Sequence, residues 1–432
     1  MKSLAAVRAA LLVCGIAATG ACRDRSASRL AAEPAPAVAA ITAQPVDSAA
    51  ARSFYADRFS RRPAVAEMTE LGRRMFFDPQ LSASGKLACA TCHDPAFGYG
   101  PPNDRSTQLG GSDLSSVGLR AAPPLRYLQT LPPFAEHHFD EAVDESVDQG
   151  PTGGHGWDGR ADTTHDQARM PLTSKLEMAN PDIDGVVSKV ARGALAERFR
   201  AVFGDDVFSD SVRGSTAVLL CLEVFQQSPR DFYPYSSRYD GYLRRQIELG
   251  PSEKRGLALF EDPKKGNCAN CHPSRIRHDG FPSFTDFGFV ALGVPRNRAI
   301  PANADAGFYD LGLCGPVRTD LSRHKEYCGL FRAPSLRNVA LRRAFFHNGV
   351  FHRLDQVVQF YAERDTNPGR WYAKPGGRVD PFDDLPPAYR ANVNREPPFG
   401  GQPGAAPALG KNEVRDIIAF LKTLTDADLA GR

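Results

Sequence analysis

The chain has 432 residues, of which 42% are hydrophobic, 24% charged and 9% aromatic, and its formal net charge is +3. This composition is typical of a globular protein of two or three domains, and it excludes a disordered, fibrous or membrane-spanning chain. The 53 basic and 50 acidic residues form no dense basic run, which argues against nucleic acid as a partner. Nine cysteines are too few for a disulfide scaffold at this length, so their spacing is the informative feature.

The first 22 residues have the pattern of an export signal. A short basic region precedes an apolar segment, 9–18, that is too short to span a bilayer. The small residues that follow resemble a lipoprotein signal in which Cys22 carries the lipid, and the alternative is ordinary cleavage near Ala21. Both alternatives predict a periplasmic protein, and the first adds an anchor in the outer membrane. Residues 23–52 are rich in Ala, Pro and Ser and are predicted to form a flexible tether.

Two C-x-x-C-H motifs, at 89–93 and 268–272, divide the rest of the chain. In c-type haem attachment the two thiols form thioethers with the vinyl groups and the adjacent imidazole binds the iron. A zinc site or a redox dithiol is the alternative, but two such pentads in one exported chain favour haem. The attachment cysteines and proximal histidines are therefore predicted to be Cys89, Cys92 and His93, and Cys268, Cys271 and His272.

The surroundings of the two motifs repeat as well. Segments 72–76 and 256–260 both run from a glycine to a phenylalanine with helical spacing, upstream of their motifs. An i, i+3, i+4, i+7 apolar stripe over 414–424 predicts a C-terminal amphipathic helix able to cover a haem edge. The repeat predicts a mainly α fold of two cytochrome c-like domains with long loops, an N-terminal haem domain at 53–245 and a C-terminal one at 246–432.

The remaining cysteines fit an exported protein. Cys314 and Cys328 lie in a loop segment that contains Gly and Pro, and oxidising compartments favour a disulfide between them. Cys221 lies in an apolar run and is predicted to be a small buried hydrophobic residue.

Several short motifs resemble those of bacterial di-haem cytochrome c peroxidases and the related MauG enzymes. In the N-terminal half these are Phe-Phe-Asp-Pro and Trp-Asp-Gly-Arg-Ala; in the C-terminal half they are Gly-Val-Pro, Leu-Arg-Asn-Val and Phe-His-Asn-Gly. They occupy residues 76–79, 157–161, 293–295, 336–339 and 346–349. The resemblance covers about residues 54–428 and implies two covalent c-type haems, with the N-terminal one peroxidatic. The region from Phe360 to the C-terminal helix is most similar to the MbnH-like branch, which oxidises a tryptophan of a partner protein.

The resemblance also bears on the ligands of the first haem. Peroxidases of this family carry a second histidine soon after the first motif, which caps the iron until reduction releases it. No histidine occurs between His93 and His137, so the first haem is expected to be five-coordinate and open. The alternative is a cap from a later histidine, and the interpretation we favour is that these residues are structural. They are His137, His138, His155 and His165.

For the second haem, the family's peroxidases place a methionine fourteen positions after the histidine of their F-H-x-G motif, and MauG-type enzymes place a tyrosine there. Counting from His347 reaches Tyr361. None of the five methionines lies in the second half of the chain, so a methionine ligand from that half is excluded. Tyr361 is predicted to be the sixth ligand, since phenolate is a hard anionic donor. The alternative is a packed aromatic residue without an iron bond.

Peroxide chemistry requires polar groups on the open face of the first haem. Cleavage of the O–O bond needs a proton moved from the inner to the outer oxygen. Gln167 and Glu177 resemble the family's distal pair, with Glu177 as proton shuttle, and Pro171 resembles the proline that restricts access to the iron. Trp157 corresponds to the family's indole between the haems, which implies a relay of oxidising equivalents.

Two features depart from the family pattern. Members bind calcium between the domains, but the corresponding positions here are Ala121, Arg342 and Ala344, and the arginine would repel a cation. Calcium therefore remains a family expectation that these residues disfavour. MauG uses a surface tryptophan six residues before the second haem histidine as an electron exit, and Gly266 stands there in this chain.

Three functions compete on these observations. The first is a peroxide-driven oxidase that modifies an aromatic residue, with tryptophan favoured, on an exported partner protein. The alternative is a di-haem cytochrome c peroxidase that reduces hydrogen peroxide with electrons from a small cytochrome or cupredoxin. The third is an electron-transfer cytochrome without enzymatic activity. The open first haem and the Gln167/Glu177 pair disfavour the third, while the missing cap and Tyr361 favour the first.

Overall fold

The computed structural model describes residues 49–139, 146–277 and 280–431. The predicted export signal, its Cys22 and most of the predicted tether lie outside these residues. The first helix begins at Ala49, within the last residues of the predicted tether, and its initial alanines are strong helix formers. In the ranges given above, the helices are too short or too polar to traverse a bilayer.

The chain is mainly α-helical, as predicted, and long loops connect the helices. The described part of the chain has four short strands, β1 (Leu109–Gly110), β2 (Ser116–Val117), β3 (Phe289–Val290) and β4 (Phe331–Arg332). They form two antiparallel sheets, β1 with β2 and β3 with β4, and these are the only sheets among the described residues. The helices are α1 (Ala49–Arg58), α2 (Val65–Phe76), α3 (Cys89–Cys92), α4 (Thr164–Thr173), α5 (Ile183–Arg192), α6 (Ala196–Phe203), α7 (Ser211–Gln226), α8 (Pro229–Phe232), α9 (Arg238–Leu243), α10 (Pro251–Glu261), α11 (Leu354–Glu363), α12 (Pro368–Trp371) and α13 (Lys411–Lys422).

The repeat in the sequence corresponds to two equivalent helix pairs, α2 with α7 and α10 with α13. A Cβ atom added at Gly72 would lie 1.9 Å from the backbone oxygen of Cys221, and one at Gly256 would lie 2.0 Å from that of Asp416. Each pair also brings together two phenylalanines at the same relative place, Phe76 with Phe225 and Phe260 with Phe420. The glycines therefore permit a close helix crossing, because any side chain there would displace the facing backbone.

We expect Gly72→Ala and Gly256→Ala each to lower the free energy of unfolding by about 1–3 kcal/mol, or to prevent folding, because the added methyl group overpacks a fixed backbone contact. Denaturant unfolding of the holoprotein measures this change. Gly185→Ala is the matched control, since Gly185 lies near the start of α5 and its nearest neighbour would be a side-chain oxygen at 3.4 Å. An unchanged unfolding midpoint for Gly72→Ala would contradict the close-crossing interpretation.

Two hydrophobic cores follow one another along the chain. The first is built from buried residues between Phe59 and Phe232, and the second from buried residues between Tyr239 and Leu424. Tyr239 contacts the ring of Phe420 at 5.2 Å, so α9 packs with the second core although it precedes residue 246. The domain bounds 53–245 and 246–432 stay predictions.

The sulfur atoms of Cys314 and Cys328 lie 1.98 Å apart, which is the disulfide predicted from the sequence. Cys221 is fully buried in α7, in agreement with the predicted packing role.

Candidate haem sites

The first C-x-x-C-H motif forms α3 and the residue after it. The thiols of Cys89 and Cys92 are free, and the Nδ1–H of His93 donates to the carbonyl oxygen of Tyr99 at 3.1 Å. The backbone of Pro123 also contacts the His93 ring, and burial lowers the pKa of this histidine to about 4. The imidazole is therefore neutral at pH 7, as proximal ligation requires.

The second motif borders a largely apolar cavity that opens to solvent. The Nδ1–H of His272 donates to the carbonyl oxygen of Phe284 at 2.8 Å, and burial lowers the pKa of this histidine to about 4 as well. Ile417 and Leu421 of α13 line the cavity, so the C-terminal helix covers it as the sequence predicts. The two motifs thus present their histidines in the same way.

Tyr361 lies in α11 and lines the same cavity as the second motif. Its phenol is close enough to the thiols of Cys268 and Cys271 for each to raise its pKa, although burial is the larger cause. Its ring stacks on Phe399 with centroids 5.2 Å apart, which fixes its direction. This placement is compatible with an axial ligand, and the ligand role itself stays a prediction.

Two arginines that the sequence analysis did not assign to the haem face this cavity. Arg332 and Arg342 both line it, and burial lowers the pKa of each to about 10. Nη1 of Arg332 and Nε of Arg342 are buried without a hydrogen-bond partner among the described residues. A buried cation with an unpaired donor is costly unless an anion joins it. The carboxylates of a porphyrin are anions of this kind, so these two arginines fit a haem in charge.

Glu177 lies in a turn whose backbone is held from both sides. Its carbonyl oxygen accepts a hydrogen bond from the backbone N–H of Gly111 at 2.8 Å, and the N–H of the next residue, Met178, donates to Pro171 at 3.0 Å. A Cβ atom at Gly110 would lie 2.1 Å from the backbone oxygen of Leu176, so strand β1 presses directly on this turn. The backbone that carries the Glu177 side chain is therefore fixed before any substrate binds.

The carboxylate of Glu177 faces the first attachment motif. Its charge acts on the thiols of Cys89 and Cys92, which places all three side chains in one region. The side chain is exposed to solvent on one side; desolvation by the protein around it raises its pKa, while a hydrogen bond to Ser174 and the charge of Arg160 lower it. A carboxyl group with a raised pKa beside an attachment motif is a candidate for proton transfer.

Gln167 and Pro171 lie one turn apart on α4, on the same side of the helix. Pro171 has no N–H, so the carbonyl of Gln167 lacks its usual helical donor, while the Pro171 carbonyl accepts from Met178. Helix α4 and the turn of Glu177 are thereby joined. The structure brings Pro171 and Glu177 together through this bond, and the roles of all three residues stay predictions.

Trp157 lies between the two sites. Its Nε1–H donates to the carbonyl oxygen of Ala121 at 2.7 Å, and its indole lines the cavity of the second motif. Pro123 follows Ala121 by two residues, and its backbone contacts His93 at the first site. The tryptophan therefore connects the second cavity with the loop that reaches the first proximal histidine.

A buried ion network, missed by the sequence analysis, holds this region. Asp158 is fully buried and binds Arg120 at 2.6 Å and Arg160 at 2.8 Å, while Arg120 also binds Asp310 at 2.6 Å. Asp158 and Arg160 lie in the Trp-Asp-Gly-Arg-Ala motif, which is the one signal that pointed to them. The network fixes the backbone on which Trp157 stands.

Three of the four histidines considered as alternative caps have side-chain partners. His137 pairs with Asp148 at 2.6 Å, Nε2 of His155 lies 3.4 Å from the Thr164 hydroxyl, and His165 lies 3.9 Å from Glu223. These contacts agree with a structural role for them.

A further histidine, His347, lines the second cavity and stacks on Phe331 with centroids 3.5 Å apart, a placement that the sequence analysis did not assign. At the positions compared with the family's calcium site, the Arg342 guanidinium donates to Ser335, and calcium binding stays untested.

Comparisons with known proteins bear directly on these sites. The family model of di-haem cytochrome c peroxidases matches residues 66–248. The methylamine utilization protein MauG of Paracoccus denitrificans is 32% identical over 376 residues, which covers 84% of this chain and 90% of MauG. The solved structure of the di-haem peroxidase BthA from Burkholderia thailandensis is 40% identical with a TM-score of 0.76, covering 86% of this chain and 88% of BthA.

A MauG-like protein associated with microbial copper homeostasis is 23% identical with a TM-score of 0.60, covering 85% of this chain and 93% of that protein. At this identity the similarity shows a shared fold, and the assignment to the MbnH-like branch stays a prediction.

Proposed function

This chain belongs to the di-haem cytochrome c peroxidase family, of which MauG is a member, and from that premise we propose that it is an exported oxidase that uses hydrogen peroxide to oxidise a tryptophan of a partner protein. It is an enzyme of the di-haem peroxidase type. The observation that carries the finer proposal is Tyr361, which lines the cavity of the second motif beside the thiols of Cys268 and Cys271. An anionic oxygen ligand favours high oxidation states at the iron and disfavours its reduction.

Each motif would hold one haem in this proposal, and the haems would supply the iron that gives two electrons to each hydrogen peroxide. Cys89, Cys92 and His93 hold the first; Cys268, Cys271, His272 and Tyr361 hold the second. Arg332 and Arg342 bind carboxylates of the second haem and exclude water from that face of the cavity. Two haem masses on the intact polypeptide are expected, and one would contradict this assignment.

Glu177, Gln167 and Pro171 transfer the proton and position the peroxide in this proposal. Glu177 accepts the proton from the inner peroxide oxygen and delivers it to the outer one, which leaves as water. Desolvation raises its pKa above the usual range of a carboxyl group, which makes it a better proton acceptor than a freely solvated glutamate. The amide of Gln167 orients peroxide by hydrogen bonding, and Pro171 narrows the approach so that protein side chains stay outside. The fixed turn around Glu177 holds the carboxylate in place during this transfer.

Trp157 relays electrons between the sites. Its indole borders the second cavity, and its N–H is tied to the loop that contacts His93. A ring held in this way gives up and regains an electron with little rearrangement. The two sites therefore share the two oxidising equivalents of one peroxide, and the partner is oxidised at a distance.

Peroxide removal with electrons from a small redox protein is the second candidate. The 40% identity to BthA favours it, since that protein is described as a di-haem peroxidase. Export to the periplasm is part of both proposals, with a lipid anchor at Cys22 as a further alternative.

One experiment separates the two functions. The ferric holoenzyme is mixed with hydrogen peroxide and candidate exported proteins, and peptide mass mapping locates added oxygen. Oxidised tryptophan on one partner, formed without prior reduction of the enzyme and absent when catalase is added first, is the expected result. Rapid oxidation of reduced cytochrome c with no modified partner would replace this proposal with the scavenging peroxidase.

A further inference from the structure

The position at which MauG carries its exit tryptophan has no room for a side chain here. A Cβ atom added at Gly266 would lie 2.5 Å from the backbone oxygen of Leu259. Electrons from a partner therefore need another way to the second site. The chain has two tryptophans, and the one not placed between the two sites is Trp371.

A continuous cluster of aromatic rings connects Tyr361 with Trp371. Phe360 lies between them, with its ring centroid 6.3 Å from that of Tyr361 and 5.7 Å from that of Trp371. A second connection runs through Phe346, 6.1 Å from Tyr361, and Phe351, 5.6 Å from Trp371. Electron transfer slows steeply with distance and with gaps in packing, so these packed phenylalanine rings favour tunnelling between Trp371 and Tyr361 without themselves being oxidised.

Trp371 combines a partly exposed ring with a buried N–H group. The side chain is half-buried at the end of α12, and its Nε1 is buried without a hydrogen-bond partner among the described residues. An indole that has lost an electron keeps its proton in these surroundings, because no acceptor is at hand. It therefore remains a strong oxidant.

Arg370 adds a second effect. Its guanidinium lies 4.5 Å above the centre of the Trp371 ring, and Glu363 binds it at 2.8 Å. The positive charge of Arg370 destabilises an indole radical cation, and Glu363 partly neutralises that charge. Trp371 thus suits brief use as a relay and does not suit storage of the oxidising equivalent.

We propose that Trp371 is the residue through which electrons from a protein donor enter the second site, passing along Phe360 to Tyr361. This inference rests on the proposed function. In each step Trp371 loses one electron inward to the oxidised second site and regains one from the donor. Two such electrons, with two protons, complete the reduction of one hydrogen peroxide to two waters.

The test uses stopped-flow spectroscopy of the holoenzyme with one equivalent of hydrogen peroxide, followed by reduced cytochrome c as a donor too large for the cavity. Trp371→Phe is expected to leave the formation of the oxidised enzyme unchanged and to slow the oxidation of cytochrome c by at least about tenfold. Trp371→Tyr, which keeps a ring that gives up an electron readily, is expected to recover part of the rate. Tyr389→Phe is the control, since Tyr389 packs on the same core outside the cluster.

Freeze-quench magnetic resonance with indole-deuterated tryptophan provides a readout independent of turnover. A radical signal that responds to the deuterium is expected in the wild type, and comparison with Trp371→Phe, which retains only Trp157, is expected to show the loss of the part that comes from Trp371. If wild type and Trp371→Phe oxidise reduced cytochrome c at equal rates, Trp371 is not the entry point for electrons, and the proposed function is unaffected. If the wild type forms no oxidised state with peroxide, the proposed function itself fails. If Trp371→Phe does not keep the resting haem spectrum, the rate of cytochrome c oxidation is compared between Trp371→Tyr and wild type instead. A rate in Trp371→Tyr equal to that of the wild type then contradicts the role of Trp371.

Discussion

Replacing Glu177 by glutamine is expected to slow the reaction with hydrogen peroxide by about 10²–10⁴-fold, the usual loss when a positioned general acid–base group is removed. Glutamine has nearly the same shape but does not take up the peroxide proton. The backbone bonds to Gly111 and Pro171 do not involve the side chain, so the turn is expected to persist. Stopped-flow formation of the oxidised enzyme, with peroxide in excess, gives the second-order rate constant.

The same substitution is expected to change the pH profile. Desolvation raises the pKa of Glu177, and the group acts as a base only when it is ionised. The wild-type rate is therefore expected to fall as the pH drops through this raised pKa, and Glu177→Gln is expected to lack that decline. Glu223 is a matched control, because burial raises the pKa of this α7 carboxyl as well. If Glu223→Gln and Glu177→Gln have equal effects, the proton-transfer role of Glu177 is wrong.

Local sequence patterns predicted the framework well. The two predicted glycine-to-phenylalanine segments lie in α2, which ends at Phe76, and in α10, which ends at Glu261. The predicted apolar stripe lies on α13. Helical periodicity and the C-x-x-C-H spacing are properties of neighbouring residues, so one sequence is enough to read them. The mainly α fold of the family follows from these elements and is confirmed.

Features that depend on distant residues were not predictable. Arg332 and Arg342 look like ordinary surface cations in sequence, because nothing near them signals that both are buried at one cavity. Arg120 and Asp310 pair across 190 positions. The place of Glu177 depends equally on Gly110, which brings strand β1 against its turn. These burials, ion pairs and positions depend on charge and packing between segments that are far apart in the sequence. A local motif contains only one of the two residues in each such contact.

The second large effect is expected at Tyr361. Tyr361→Met replaces an anionic oxygen donor by a neutral thioether, which stabilises the reduced iron relative to the oxidised iron. The reduction potential of the second haem is therefore expected to rise by some hundreds of millivolts, within the span of about 0.8 V that axial ligands set. Tyr361→Phe, which offers no donor, is expected to convert the low-spin signal of the resting enzyme to high spin. Spectroelectrochemistry and low-temperature magnetic resonance measure these two results.

Only the second haem is expected to respond, because the first has its own proximal residue, His93, in a separate core. Tyr372→Phe is a suitable control: its hydroxyl donates to the carbonyl of Gly293 at 2.7 Å, so the variant loses a buried hydrogen bond in the same core without touching the proposed ligand. An unchanged low-spin spectrum in Tyr361→Phe would show that another group binds this iron. The main physical reason to expect a long-lived oxidised enzyme would then be gone, and peroxide removal with electrons from a small redox protein would become the better account of the same two sites.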